Sequence, residues 1–176
     1  MPYLHISVNG CKFDKAMIEK IQYQSEGVLV DEADLTPEQL QLLQETRNLF
    51  AQAYAPYSRF RVAAIALLHN GTRVKGTNQE NAAYPSGLCA ERVALFQAGS
   101  LFPDAAVKIL CIAAKNEQKL TTKPVSPCGA CLQVISESEY RQQKPITIML
   151  AGEEGKILLI EGVKNLLPFR FLPDAL

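Results

Sequence analysis

No stretch of this sequence is basic enough to seek phosphates, and none is apolar for long enough to cross a bilayer. Lysine plus arginine and aspartate plus glutamate number 18 each, so the formal net charge is zero and no positive face is expected for nucleic acid. The longest apolar run, Val62 to Leu68, falls far short of the roughly 18 residues of a membrane span. The opening residues, with His5, Ser7 and Asn9, lack the charged and apolar regions of a secretory signal, so a cytoplasmic protein is expected. Internal repeats and low-complexity segments are also missing. Five cysteines, an odd number in a chain of 176 residues, argue against a disulfide framework and for reduced thiols.

The informative cysteines lie in two short stretches. These are Cys89-Ala90-Glu91-Arg92 and Pro127-Cys128-Gly129-Ala130-Cys131. Three thiols with no histidine nearby suit a zinc that keeps its fourth position for water, and zinc lowers the pKa of that water to about 7. Glu91, two residues after one thiol, is close enough to move protons without being a ligand. Arg92 answers a charge problem: three thiolates on one dication leave a net negative charge, which a guanidinium donating to sulfur offsets. Other readings stay open on the residues alone. Cys128 and Cys131 could be a thioredoxin-type redox pair, or the trio could hold a structural zinc in an interaction module, although neither needs Glu91 or Arg92. Cys11 and Cys111 read as ordinary thiols, Cys111 inside the apolar run Ile109 to Ala114.

Along the chain, Leu4, Ile6 and Val8 alternate with polar neighbours before an Asn9-Gly10 turn, and residues 1–35 are expected to form a small strand-bearing extension. Residues 36–176 are expected to form the main domain. Thr36, Pro37 and Gln39 make a capping box that starts a helix, stopped by Pro56. The segment from Arg61 to Leu68, apolar at both parities, predicts a strand covered on both faces. Asn70-Gly71 turns into a return strand ending near Thr77, followed by a helix from about Cys89 to Ala98 closed by Gly99. A buried strand over 107–114, a helix from the second cysteine pair to about Ser138, and strands over 146–151 and 156–161 complete the order. A three-layer α/β/α domain with a mixed sheet of about five strands is expected. Both thiol sets then sit at helix starts, where the positive end of the helix favours thiolate.

From Ala53 onward the chain resembles the small homotetrameric cytidine deaminases. The likeness rests on Pro56-Tyr57-Ser58-Arg59-Phe60, Asn78 to Tyr84, Cys89 to Arg92, Ser126 to Cys131, and Leu166-Leu167-Pro168 with Phe171. The resemblance implies Zn2+ on Cys89, Cys128 and Cys131. It also implies hydrolysis of cytidine and deoxycytidine to uridine and deoxyuridine by a zinc-bound hydroxide, with Glu91 shuttling protons, in pyrimidine salvage. Asn78 and Glu80 would hold the ribose, or else merely cap a turn. Phe60 would pack near ribose and base, or be a core aromatic. Ala90 and Tyr84 would complete the substrate site, Tyr84 across a subunit interface, and Phe171 would cover the base of a neighbouring subunit. A homotetramer acting on nucleosides, away from nucleic acid and membranes, is what the likeness implies. Arg61, Ala63, Leu132 and Leu172 depart from the family pattern and leave substrate preference open; a different aminopyrimidine nucleoside is the rival substrate.

Overall fold

The computed structural model describes residues 20–175. Its centre is an antiparallel pair, β2 (Phe60–Leu68) and β4 (Val107–Asn116), registered with Ile65 opposite Cys111. The both-parity apolar pattern of β2 has the expected cause. Ala63, Ile65 and Leu67 belong to one core and Ala64, Ala66 and Leu68 to the other, all at most 2% exposed. The first core lies under α1 (Pro37–Asn48), where Leu42 and Leu43 are fully buried; Leu43→Ala would cost about 2–5 kcal/mol. Against the second core pack α2 (Ala90–Leu101) and α3 (Gly129–Gln142). The sheet therefore has helices on both sides, as the sequence predicts.

On one edge, β2 pairs with β3 (Arg73–Thr77) through a turn at Gly71, whose φ of 86° favours glycine. Gly76 of β3 lets α2 lie directly on the strand, since a Cβ there would sit 2.6 Å from the Ala94 nitrogen. On the other side β4 pairs in parallel with β5 (Thr147–Ala151), the crossover being made by α3. β6 (Ile157–Glu161) and β1 (Val28–Val30) then add antiparallel strands, giving the order β1-β6-β5-β4-β2-β3.

The sheet has six strands where about five are expected, because Val28–Val30 joins as an edge strand against Ile157–Leu159. The first helix stops at Asn48, short of Pro56. A 3-10 turn over Leu49–Gln52 follows, and Tyr54 turns its backbone outward to donate to the Asn78 carbonyl (3.0 Å) and accept from the Glu80 amide (2.8 Å). The second helix runs through Gly99 to Leu101 instead of closing there. The third passes Ser138, whose hydroxyl bonds back to the Val134 carbonyl (2.9 Å), and ends at Gln143 in the left-handed region, φ 53°. The capping box at Thr36 and Gln39 forms with bonds of 3.0 and 3.3 Å. The strand expected over Leu4, Ile6 and Val8, the Asn9-Gly10 turn and Cys11 lie outside the described residues.

Candidate metal centre and active site

The site is built where two helices begin side by side on one face of the sheet. Cys89 is the N-cap of α2 and Cys128 that of α3, both with extended backbone, and Cys131 lies in the first turn of α3. The chain reaches Cys89 through Leu88, which exchanges two backbone hydrogen bonds of 2.9 Å with Gln79 and so sets the loop after β3 beside the helix start. At neither N-cap is the side chain spent on capping, which leaves the sulfur free for other work.

The three sulfurs converge. Cys89 Sγ lies 4.0 Å from Cys128 Sγ, Cys128 Sγ lies 3.6 Å from Cys131 Sγ, and all three fall within 4.8 Å of one another. Zinc–sulfur bonds of about 2.3 Å in a tetrahedron place sulfurs about 3.8 Å apart, so the trio fits zinc with one position over. Among the described residues this is the only group of three or more Cys, His, Asp or Glu that could hold a metal ion. A soft all-thiolate set favours zinc over hard cations such as magnesium.

Electrostatics already separates the sulfurs. The Cys89 thiol is pulled down to about 5, chiefly by the hydrogen bond it accepts from Cys131 and further by Arg92 and Cys128, against the opposing effect of burial. Cys131 moves the other way because it donates to Cys89 and is buried. Arg92 Nη2 donates to Cys89 Sγ at 3.6 Å, while its Nε is buried with no partner among the described residues. A guanidinium so placed compensates the charge of a thiolate cluster.

Glu91 follows on the same helix start and is only 5% exposed. Burial pushes its carboxyl up, and the Cys89 charge adds to this against the pull of its own amide, the Cys131 thiol and Arg92. A carboxyl raised in this way holds a proton more tightly than an exposed one, which suits it to pass protons at a site beside the thiols. Ala90, between Cys89 and Glu91, is fully buried.

The remaining sequence candidates form a second group. Asn78 accepts from the Val62 amide (2.8 Å) and donates to the Phe60 carbonyl (2.9 Å), pinning the half-buried Phe60 at the start of β2. Glu80 accepts from the amides of Tyr57 (2.9 Å) and Ser58 (3.3 Å) and from the Ser58 hydroxyl. Burial works upward on its carboxyl, but these donors outweigh it and hold Glu80 below the usual carboxylate range. Tyr84 and Phe171 stay on the surface, 76% and 57% exposed. Sequence reasoning assigned no role to Ser58, which bonds Glu80 and also accepts from the Phe60 amide (3.0 Å). The available signal was a serine two residues before Phe60, the pattern of a side-chain turn. A groove of about 590 Å³ near Leu95, Phe102, Arg141 and Lys144 lies toward the other ends of α2 and α3, apart from the thiols.

Fold and site together define a zinc-binding deaminase domain of the α/β class. Residues 37–145 match the family model described as the cytidine and deoxycytidylate deaminase zinc-binding region. The chain is 39% identical over 133 residues to the cytidine deaminase of Halalkalibacterium halodurans, covering 76% of this chain and 93% of that one. Its structure resembles the crystal structure of cytidine deaminase from Burkholderia pseudomallei, with a TM-score of 0.62 and 32% identity over 78% of this chain and 100% of that one. The Mycobacterium tuberculosis cytidine deaminase gives a TM-score of 0.58 at 27% identity, covering 78% and 99%. The chain belongs to the cytidine deaminase family. It is an enzyme of that kind, and its Cys89, Cys128 and Cys131 cluster fits the family's zinc.

Proposed function

We propose that this enzyme hydrolyses cytidine and deoxycytidine to uridine and deoxyuridine in pyrimidine salvage, with Glu91 as the group that moves protons. The observation that carries the reading is a buried carboxyl beside three converging thiols at two helix starts. Cys89, Cys128 and Cys131 hold the zinc, which when bound brings the pKa of water near 7. Glu91 takes a proton from the attacking water and delivers it to ring N3. The water oxygen bonds to C4, and Glu91 then carries the remaining proton of that new hydroxyl to the C4 amine, so that the C4–N bond breaks as the C4=O bond forms and ammonia leaves. Burial suits Glu91 to this, because it keeps the proton affinity high while excluding bulk water.

Asn78 and Glu80 bind the ribose in this reading. Their internal bonds leave room, since an amide nitrogen has two N–H groups and a carboxylate about four acceptor positions, and only some are used. Phe60 packs near ribose and base, Ala90 lines the site, and Arg92 offsets the thiolate charge. Arg61, unusual for the family, pairs with Glu117 and donates to the carbonyls of Phe50 (3.2 Å) and Ala53 (2.6 Å). It therefore braces the start of β2. Residues 36–176 are the catalytic domain and 1–35 an extension. The exposed rings of Tyr57, Tyr84 and Phe171 support a homotetramer with shared sites. No helix among the described residues is long and apolar enough to cross a membrane, and a reduced thiol site suits the cytoplasm.

A spectrophotometric assay of cytidine loss, with ammonia release and metal content measured on the same sample, tests the reading. One zinc per chain and stoichiometric uridine and ammonia are expected. Metal without ammonia release, or activity in protein carrying an intact Cys128–Cys131 disulfide, would contradict it.

A further inference from the structure

The family match spans residues 37–145, so it covers neither the extension nor the C-terminal tail. In the structure these two segments meet. The Tyr23 ring packs edge-on against Phe169, centroids 4.6 Å apart and planes at 66°. The Glu26 amide donates to Asn165 Oδ1 at 3.1 Å, and Val28 pairs with Leu159 in the sheet.

From its other side the tail is held by α3, the helix whose start carries Cys128 and Cys131. Gln133 Nε2 donates to the Phe171 carbonyl at 2.9 Å, and Tyr140 donates to Asp174 Oδ1 at 3.2 Å. Glu139, 8% exposed, faces Arg170 Nη1 at 3.7 Å. Its other oxygen accepts from the amides of Ile146 (3.0 Å) and Val163 (2.8 Å), so the carboxylate is fixed before it meets the arginine. Three consecutive tail residues are thus gripped by three different partners: Phe169 by Tyr23, Arg170 by Glu139, and the Phe171 backbone by Gln133. The Phe171 ring is left exposed.

We propose that Tyr23 and Glu139 are positioning residues for substrate binding, clamping the tail between the extension and α3 so that the Phe171 ring stands ready to cover the base. The inference rests on the proposed cytidine deaminase function and on the role the family resemblance implies for Phe171, covering the base of a neighbouring subunit. Ordering the tail in advance removes that entropy cost from the binding step, so losing the clamp raises KM and spares kcat.

The test measures KM and kcat for cytidine, with zinc content, on Tyr23→Ala, Tyr23→Phe, Arg170→Gln, Phe171→Ala and the Tyr23→Ala/Phe171→Ala double variant. Tyr23→Ala should raise KM about two- to tenfold, the span of an aromatic pair, with kcat and zinc unchanged. Tyr23→Phe should keep the parent KM. Arg170→Gln should repeat the Tyr23→Ala pattern and serves if Tyr23→Ala fails to fold. Phe171→Ala should raise KM, and adding Tyr23→Ala to it should do nothing more. A raised KM in Phe171→Ala with parent values in Tyr23→Ala and Arg170→Gln would overturn the clamp alone. An unchanged KM in Phe171→Ala would overturn both the base-covering role and the clamp. Additive effects in the double variant, or a fall in kcat without a rise in KM, would show that Tyr23 does not act through Phe171.

Discussion

Cys111 and Cys131 are both fully buried thiols, yet one is an inert part of a core and the other is placed to bind metal. Cys111 sits in mid-strand on β4, opposite Ile65 and beside Met149, and burial pushes its thiol up to about 12. Cys131 sits one turn into a helix, with two further sulfurs in reach and Arg92 beside Cys89. Burial alone therefore says nothing about function. What distinguishes the two is convergence: a second and third sulfur, a helix N-terminus and a cation, all at one point.

The comparison is broken most forcefully by Cys131→Ala. Two remaining thiols cannot close the site, so zinc and activity should disappear together and the melting temperature should fall, because metal binding contributes to folding. Metal analysis and calorimetry check this, and retained stoichiometric zinc would remove Cys131 from the ligand set. A smaller effect is expected from Arg92→Gln. Weakening the hydrogen bond to Cys89 should cost about 10- to 100-fold in zinc affinity or turnover, read by competition with a chelator and by steady-state kinetics. The smallest belongs to Cys111→Ala, which should leave zinc and kcat at parent values and cost about 1 kcal/mol, a shift of roughly 2–4 °C in Tm. A loss of zinc in that variant would mean that the two buried thiols are not as different as the structure makes them.

The sequence displays this contrast because each thiol carries its context locally. Cys111 stands inside an apolar run, while Cys89, Glu91 and Arg92 are near neighbours in the chain, as are Pro127, Cys128 and Cys131. The same holds for the doubly covered strands β2 and β4 and for the Thr36 capping box, where the pattern and the structure it specifies lie within a few residues. Features made by distant partners were hidden. β1 is three residues long, and its strand character comes from β6, about 130 positions further on. The first helix ends early because Tyr54 finds Asn78 and Glu80 across the loop cluster. Ser58 gains its role only once Glu80 is folded against it. Nothing near Tyr23 in the sequence announces its partner Phe169.

The central claim is that the site does proton chemistry on a metal-bound scaffold, and Glu91→Gln tests it most directly. The substitution keeps the side-chain volume at a buried position and removes only the capacity to carry a proton. Zinc content and cytidine turnover are measured on one preparation. The account predicts full zinc occupancy with turnover reduced by about 10⁴ or more, the upper end for general acid–base catalysis, because one carboxyl serves several transfers. Full zinc with near-parent turnover would contradict the mechanism, and loss of zinc would show that Glu91 is a ligand instead.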